Sequence, residues 1–469
     1  MISTKEINLT KSKLNIANVL SKAQEGLSGT DIESLKAVVV ELVAAVIALS
    51  NQLGVNSSNS SKPPSADPNR KRPLKVKGRR RKPGGQKGHV GAFLNQVPNP
   101  TTTEDILIDR DTLPKGRYHQ VGFEKRQVFD VEITVHVKEY RGEILANTKG
   151  EQFVADFPKG VTEPAQYGNS VKATSVYMSQ FQLVPLARVQ DHFHDQIGLP
   201  LSKGSVSNWN VLAYEKLESF EDWARRELIN SICCHADETG INVNGKRFWL
   251  HSVSSEKVTL FHPDEKRGQE AMDRMGVIPF FKGILVHDHW KAYFAYACAH
   301  ALCNAHHLRE LEAAIEFDGQ KWAKKMQDFL VELNKIVEKS GGSLSTKRAA
   351  KFYKRYRQIL AAGDRECPLN KESRAQTKSR NLLERLRDFQ IETLRFVEDI
   401  NTPFTNNRGE NDLRMTKVQQ KISSCFRSMD GAMIFCRIRS YLSTCRKNGV
   451  GPTEALTLLF EGKLPTFIT

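Results

Sequence analysis

Cysteine is absent from the first 232 residues of this 469-residue chain, and the eight that follow, from Cys233 to Cys445, include no C-x-x-C pair. That excludes a disulfide-stapled secreted domain and a standard zinc ribbon, and it fits a reduced intracellular chain. Long apolar runs are missing too. The longest, Ala37 to Leu49, is interrupted by Glu41 and is too short to span a membrane. Met1–Glu6 leads into no apolar core with a cleavage site, so no signal peptide is expected, and the expected location is cytoplasmic. Acid is in short supply: 53 Asp and Glu against 69 Lys and Arg leave a formal charge of +16. Such a surplus favours a polyanionic partner, nucleic acid before membrane. With 39% hydrophobic and 26% charged residues the chain can bury a sizeable core, and its length suggests about three domains.

What is present is organised in blocks. In residues 1–54, Ile32, Val39, Val46 and Leu53 recur every seven positions, and Leu35, Leu42 and Leu49 follow the first three at a spacing of three. This a/d seam, β-branched at a and Leu at d, suits a parallel coiled-coil dimer; a single amphipathic helix packed on its own domain would show the same pattern. Residues 55–95 form a Pro/Gly/Ser-rich arm. Between Lys62 and Gly88 there are eleven Lys/Arg against one acid, Asp67, including Arg79, Arg80, Arg81 and Lys82. Its prolines prevent a helix, and a basic structureless arm tracks a phosphate backbone by counterion release. Residues 96–160 alternate polar and apolar, as in Val128-Phe-Asp-Val-Glu-Ile-Thr-Val135, which predicts a small β-rich module. Residues 161–227 read as helical. Leu186–Ile197, a break at Gly198-Leu-Pro200 and Ser202–Leu217 form a helix-turn-helix candidate, capped by Ser202 and presenting Lys203 and Asn208 to DNA.

Two apolar strands then end in carboxylates, Ser231-Ile-Cys-Cys-His-Ala-Asp237 and Gly283-Ile-Leu-Val-His-Asp288. Between them, Gly240–Val243 and Lys246–Val253 flank an Asn244-Gly245 turn, and Val258-Thr-Leu-Phe261 supplies a further strand. The stretch 301–394 is helical and charged, so 228–300 and 395–445 are expected to form one α/β core carrying a helical insertion, with 446–469 as a tail. Glu410 lies in the first turn of a helix that Asn406 or Asn407 can cap, with Arg414 and Lys417 at i+4 and i+7 on the same face. Two carboxylates at neighbouring strand ends repel unless divalent cations sit between them. Three can hold two Mg²⁺ ions for phosphoryl transfer. Asp237, Asp288 and Glu410 are therefore the candidate catalytic and metal-binding residues.

These residues fall in motifs that resemble the transposases of the insertion sequence 66 family, bacterial enzymes with a DDE catalytic core of ribonuclease-H-like fold. The motifs are Asn56–Ser65, Arg81–His89, His235-Ala-Asp-Glu-Thr-Gly240, Val286-His-Asp-His-Trp-Lys-Ala-Tyr293, His300-Ala-Leu-Cys-Asn-Ala-His306, and Pro403–Arg414 with its extension Lys417–Ser428. The resemblance implies an acidic triad at Asp237, Asp288 and Glu410 holding two Mg²⁺, with Mn²⁺ as a substitute. Lys417 takes the basic position that holds DNA near the metals, with Arg414 and Lys421 beside it. It also implies element-end and target DNA as partners, a homo-oligomer of at least two copies, nucleoid association, and accessory proteins encoded by the element.

One departure stands out. Family members commonly carry a small zinc-binding module before the helical region, and residues 105–150 here hold no cysteine, so no zinc is expected there. His300, Cys303, His306 and His307 lack an evident fourth ligand and read as packing and DNA-facing groups. Of His287 and His289, one is expected in the core and one toward the cleft, with either able to meet a phosphate. Trp290 and Tyr293 read as core or supporting surface. Two other functions share these features: a catalytically silent DNA-binding protein derived from a transposase, and a ribonuclease-H-like nuclease. The intact triad disfavours the first. The added heptad, arm and helix-turn-helix candidate disfavour the second.

Overall fold

A computed structural model describes residues 91, 94–370 and 376–468. The heptad and the basic tract with Arg79–Lys82 lie outside these residues. The described chain divides into two units, Pro73–Thr162 with Asp191–Pro200, and Glu163–Gln190 with Leu201–Thr469.

In the smaller unit, the expected β-rich module is reduced to one short antiparallel pair, β1 (Ile144–Ala146) and β2 (Gln152–Val154), in register Ile144↔Val154. Asn147 closes the turn, its Oδ1 accepting from the N–H groups of Lys149 and Glu151. Val128–Val135 forms no strand, and Val128 and Val131 are almost fully exposed. Alternation creates two faces, but a strand also needs a ladder partner and a layer to bury one of those faces. The described residues of this unit supply neither to 128–135.

The larger unit begins with α1 (Asn169–Val176) and most of α2 (Leu186–His192). The wide turn that follows α2 over Phe193–Ile197, closed by left-handed Gly198, groups with the smaller unit. Ser202 caps α3 (Lys203–Lys216) as expected, accepting from the Ser205 N–H at 3.0 Å. α4 (Glu218–Ile229) leads into the sheet. β3 (Cys233–Val243), β4 (Lys246–Ser254) and β5 (Thr259–Asp264) form an antiparallel meander. α5 (Gln269–Met275) crosses to β6 (Ile284–His287), and β7 (Ala299–Leu302) lies at the edge. The five-stranded sheet runs β5-β4-β3-β6-β7, with β6 parallel to β3 and β7 parallel to β6. The first turn is the expected one, Asn244 and Gly245 both at positive φ (47° and 79°), the conformation that matches the twist of a two-residue hairpin.

Between residues 304 and 394 the described residues form five helices: α6 (Asn304–Asp318), α7 (Lys321–Lys339), α8 (Thr346–Glu366), α9 (Lys378–Asp388) and α10 (Gln390–Leu394). The edge strand β7 crosses the boundary drawn at 301 by two residues. This block has its own core, built on fully buried Trp322, Phe329, Tyr356 and Leu383. α11 (Asn407–Ser423) and α12 (Met429–Lys447) return to the sheet, where Leu413 and Phe435 pack with Ile241, Leu250 and Phe261. The segment expected as a tail contains α13 (Pro452–Phe460), whose Ala455, Leu456 and Leu459 are buried and whose Ala455 carbonyl accepts the Tyr441 hydroxyl. Short apolar runs near a chain end read as tail when the surface that buries them lies far away in sequence.

Because the helical block has a separate core, its stability can be probed alone. Trp322→Ala should cost about 3–5 kcal/mol, the usual range for deleting a buried Trp. Hydrogen exchange should show the loss concentrated in 304–394, with the amides of β3 and β4 retaining protection.

Candidate active site

β3 and β6 bring the first two carboxylates together. Their parallel register pairs Cys233 with Ile284, Cys234 with Leu285 and His235 with Val286, so the same offset carried two residues further sets Asp237 level with Asp288. Asp237 takes a hydrogen bond from the Glu238 N–H (2.9 Å), and Asp288 takes one from the Trp290 N–H (3.1 Å). Burial pushes the Asp237 carboxyl well above the usual range, and the charges of Glu238, Asp288 and Glu410 push it further. Four carboxylates thus share one field at the carboxyl edge of the sheet.

Glu410 reaches this field because of Asn406, which holds the start of α11 against β3. The Asn406 side chain is not the helix cap anticipated from the sequence. It donates to the Ala236 carbonyl (2.8 Å) and its oxygen meets His235 Nδ1 (2.8 Å), while its backbone N–H donates to Cys303 Sγ (3.1 Å). Gly409 leaves room for this side chain: a Cβ there would lie 3.0 Å from Asn406 Oδ1. Glu410 Oε1 is buried and accepts no hydrogen bond; the Arg309 guanidinium stands near it, Nη2 at 3.5 Å, and the His306 ring lies close by, Nδ1 at 3.9 Å.

The other expected residues are placed as follows. Lys417 donates to the Gly240 carbonyl on β3 (2.9 Å), and burial with the nearby Arg247 lowers its pKa. Arg414 and Lys421 are exposed on α11, and Lys203 and Asn208 are exposed on α3. The histidines flanking Asp288 correct the expectation that one faces the cleft. His287 is fully buried, bonded to the Asp288 carbonyl and to His300 Nδ1 (3.0 Å). His289 packs edge-on against Phe389, 4.3 Å between ring centres, so α9's end covers it. His307 bonds Asn304 inside the fold. Of the His/Cys cluster, only Cys303 and His306 meet Glu410, their ligand atoms lying within 4.8 Å of one another. Asp237, Asp288 and Glu410 do not form so tight a group among the described residues.

Sequence reasoning missed three contributors. Glu238 follows Asp237 in the same motif, and its buried carboxylate accepts from Arg267 (2.7 Å) and the Tyr293 hydroxyl (2.6 Å). Arg309 stands one turn after His306 on α6, a spacing that puts both on one helix face. Asn406 was read as a cap because Asn commonly is one.

The residues fit a hard cation. Repelling carboxylates that raise the pKa of one member, together with an unsatisfied buried oxygen on Glu410, are the donor chemistry such an ion requires.

With this geometry in hand, comparison with known proteins decides the family. The family model described as "Transposase IS66 family" matches residues 164–434, more than half of the chain. The chain belongs to the IS66 transposase family. A second model, of a family of unknown function (DUF6444), matches residues 3–95. No curated protein matches. Among solved structures, the chain is similar to one in a cryo-EM structure of the simian T-cell lymphotropic virus intasome in complex with PP2A regulatory subunit B56 gamma. The identity is 12%, covering 45% of this chain and 74% of that one, with a TM-score of 0.15 that carries no argument. No helix among the described residues is long and apolar enough to cross a membrane. The IS66 model spans all three acidic residues, the Asn406 tie and the whole helical block.

Two outcomes follow from this packing. Asn406→Ala strands the Ala236 carbonyl and the His235 ring in a buried site, and should cost about 1–3 kcal/mol in urea denaturation. The second is a pH dependence. His251, buried on β4 opposite Glu238, is held by burial to about 4 against an ordinary 6.5. The unfolded chain takes up that proton first, so stability is full above 6.5 and is lost as pH falls toward 4. The contribution is roughly 1.4 kcal/mol per pH unit. His251→Gln should flatten the stability profile in that window by about one proton.

Proposed function

We propose that this IS66-family chain is an Mg²⁺-dependent DDE transposase that cuts the DNA strand at element ends and joins the freed 3′-hydroxyl to target DNA. The observation that carries the reading is the convergence of Asp237, Asp288 and Glu410 on one field, from three elements distant in sequence. The strand order, an antiparallel meander extended by two parallel strands, supports a ribonuclease-H-like core interrupted by the helical block.

Asp237, Asp288 and Glu410 would hold two Mg²⁺, with Mn²⁺ as a substitute. Bound there, the ions would activate water or a 3′-hydroxyl and stabilise the leaving oxygen. The protein's own groups do the rest. Asn406 fixes Glu410 relative to β3. Arg309 offsets its charge. Burial keeps His306 neutral in preference to cationic, so its ring serves as a hydrogen-bonding group at the edge of the site. Lys417, with Arg414 and Lys421 along α11, contacts the DNA backbone. Lys203 and Asn208 on α3 contact the element end, and Arg79, Arg80, Arg81 and Lys82 add contacts without sequence preference. Two ends must be held at once, which calls for at least a dimer, and the heptad at Ile32–Leu53 is its proposed seam.

A strand-cleavage and strand-transfer assay on DNA carrying the element ends tests this reading. Asp237→Asn, Asp288→Asn and Glu410→Gln keep size but remove the charge that holds a hard cation. Each should retain fold and DNA binding while cleavage falls by several orders of magnitude, with no further loss in double variants. Lys417→Ala should slow the reaction and weaken DNA placement while Mn²⁺ affinity by calorimetry stays near wild type. Wild-type cleavage by Asp288→Asn would refute the triad. A wild-type protein that binds DNA but takes up no divalent ion and never cuts would favour the silent, DNA-binding reading.

A further inference from the structure

Beside the carboxylates, the larger unit carries two guanidinium groups alternating with two indoles. The Arg247 guanidinium lies over the Trp249 ring at 4.6 Å from its centre. That of Arg267 lies between Trp249 (4.8 Å) and Trp290 (4.5 Å). Arg267 is pinned from below: its Nε and Nη2 donate to Glu238 Oε1 at 3.1 and 2.7 Å. The Glu238 side chain is 2% exposed, whereas that of Arg267 keeps 42% of its surface in solvent. Arg247 crosses Gly240, where a Cβ would come 3.0 Å from its Nε, and the carbonyl of the same glycine receives Lys417.

The row is tied to the site at two points, through Trp290 and through Arg267's partner Glu238. Trp290 donates its N–H to Asp288, and Glu238 follows Asp237 directly. Gly240, under Arg247, stands three residues beyond Asp237, on the order of 10 Å along the strand. Arg247 and Arg267 both lie against Trp249, so that indole is not an open platform for stacking bases. It is a support for cations. A guanidinium already stacked and forked loses little freedom on meeting a phosphate, and its remaining N–H groups match phosphate oxygens in pairs. Among the described residues no carboxylate pairs with Arg247 within salt-bridge distance, so its charge is left for a ligand.

We infer that Arg247 and Arg267, held by Trp249 and Trp290, form a phosphate-binding track for the DNA backbone next to the bond being cut. The inference rests on the DNA-processing reading above and names residues that reading does not use.

The test measures binding of the full-length protein to a fluorescein-labelled duplex of arbitrary sequence, by anisotropy over a salt series without divalent metal. Arg247→Gln should flatten the slope of log K against log salt by about one unit, and Arg247→Gln with Arg267→Gln by about two, at roughly 0.9 per phosphate contact. Lys351→Gln with Lys354→Gln removes the same charge from exposed positions of α8 and should leave the slope near wild type. The double Arg→Lys variant should restore the slope but bind several-fold more weakly, because an ammonium cannot fork or stack in the same way. Arg247→Gln leaves the Glu238–Arg267 pair intact, so an unchanged slope in that variant overturns the inference without a folding ambiguity. Equal flattening in the α8 control also overturns it, and wild-type affinity in the Arg→Lys variant overturns the role of the indoles. A wild-type protein with no salt-dependent DNA binding would instead overturn the transposase reading.

Discussion

Crowding of negative charge at one sheet edge is the constraint around which the larger unit is arranged. Asp237, Glu238, Asp288 and Glu410 lie close enough that burial and their mutual repulsion raise the Asp237 carboxyl well above its ordinary range. A fold stabilised by a few kcal/mol tolerates such a cluster only with compensation. Glu238 is satisfied inside the protein by Arg267 and Tyr293. Glu410 has the Arg309 guanidinium near but no hydrogen bond to its Oε1. The compensation is thus uneven: the carboxylate that serves the framework is satisfied, and those at the proposed metal site are left short.

Asn406 converts this electrostatic arrangement into a mechanical one. A single amide side chain joins the buried first half of β3, at Ala236, to the start of α11, and the backbone N–H of the same residue reaches Cys303 just before α6. Three segments far apart in sequence, around Ala236, Cys303 and Asn406, therefore meet at one residue. The parallel bridge between Val243 and Phe426 fastens the other end of α11 to the same strand. With both ends tied to β3, the helix has little freedom to roll, and Glu410 and Lys417 keep their facing toward that strand.

Much of this was legible in the residues. The apolar run ending in Asp288, the Asn244-Gly245 turn and the Ser202 cap are local signals, and local geometry honours them, whereas the strand expected to end at Asp237 continues unbroken to Val243 because β4 pairs with it along that length. What failed was non-local. Val128–Val135 has strand alternation but no partner, so the pattern had nothing to pair with. Asn406 has the composition of a cap but sits where a distant carbonyl competes for its amide. One of His287 and His289 was expected toward the cleft, but His287 is buried and His289 packs edge-on against Phe389, a hundred residues later. The arm and heptad fall outside the described residues, so their reading rests on sequence alone.

The helical block illustrates why an insertion between the second and third acidic residues need not be passive. Its core is separate, so it could vary without disturbing the sheet. Yet its first turn carries Cys303, His306 and Arg309 to Glu410, and its fourth helix ends on His289 beside Asp288. The carboxylate supplied by α11 is therefore faced by a neutralising group, Arg309, from an element with its own core. A small shift of that block would change the field at Glu410 without breaking a strand. Placing attraction and repulsion on separately packed elements is what allows a site of like charges to be both assembled and adjustable.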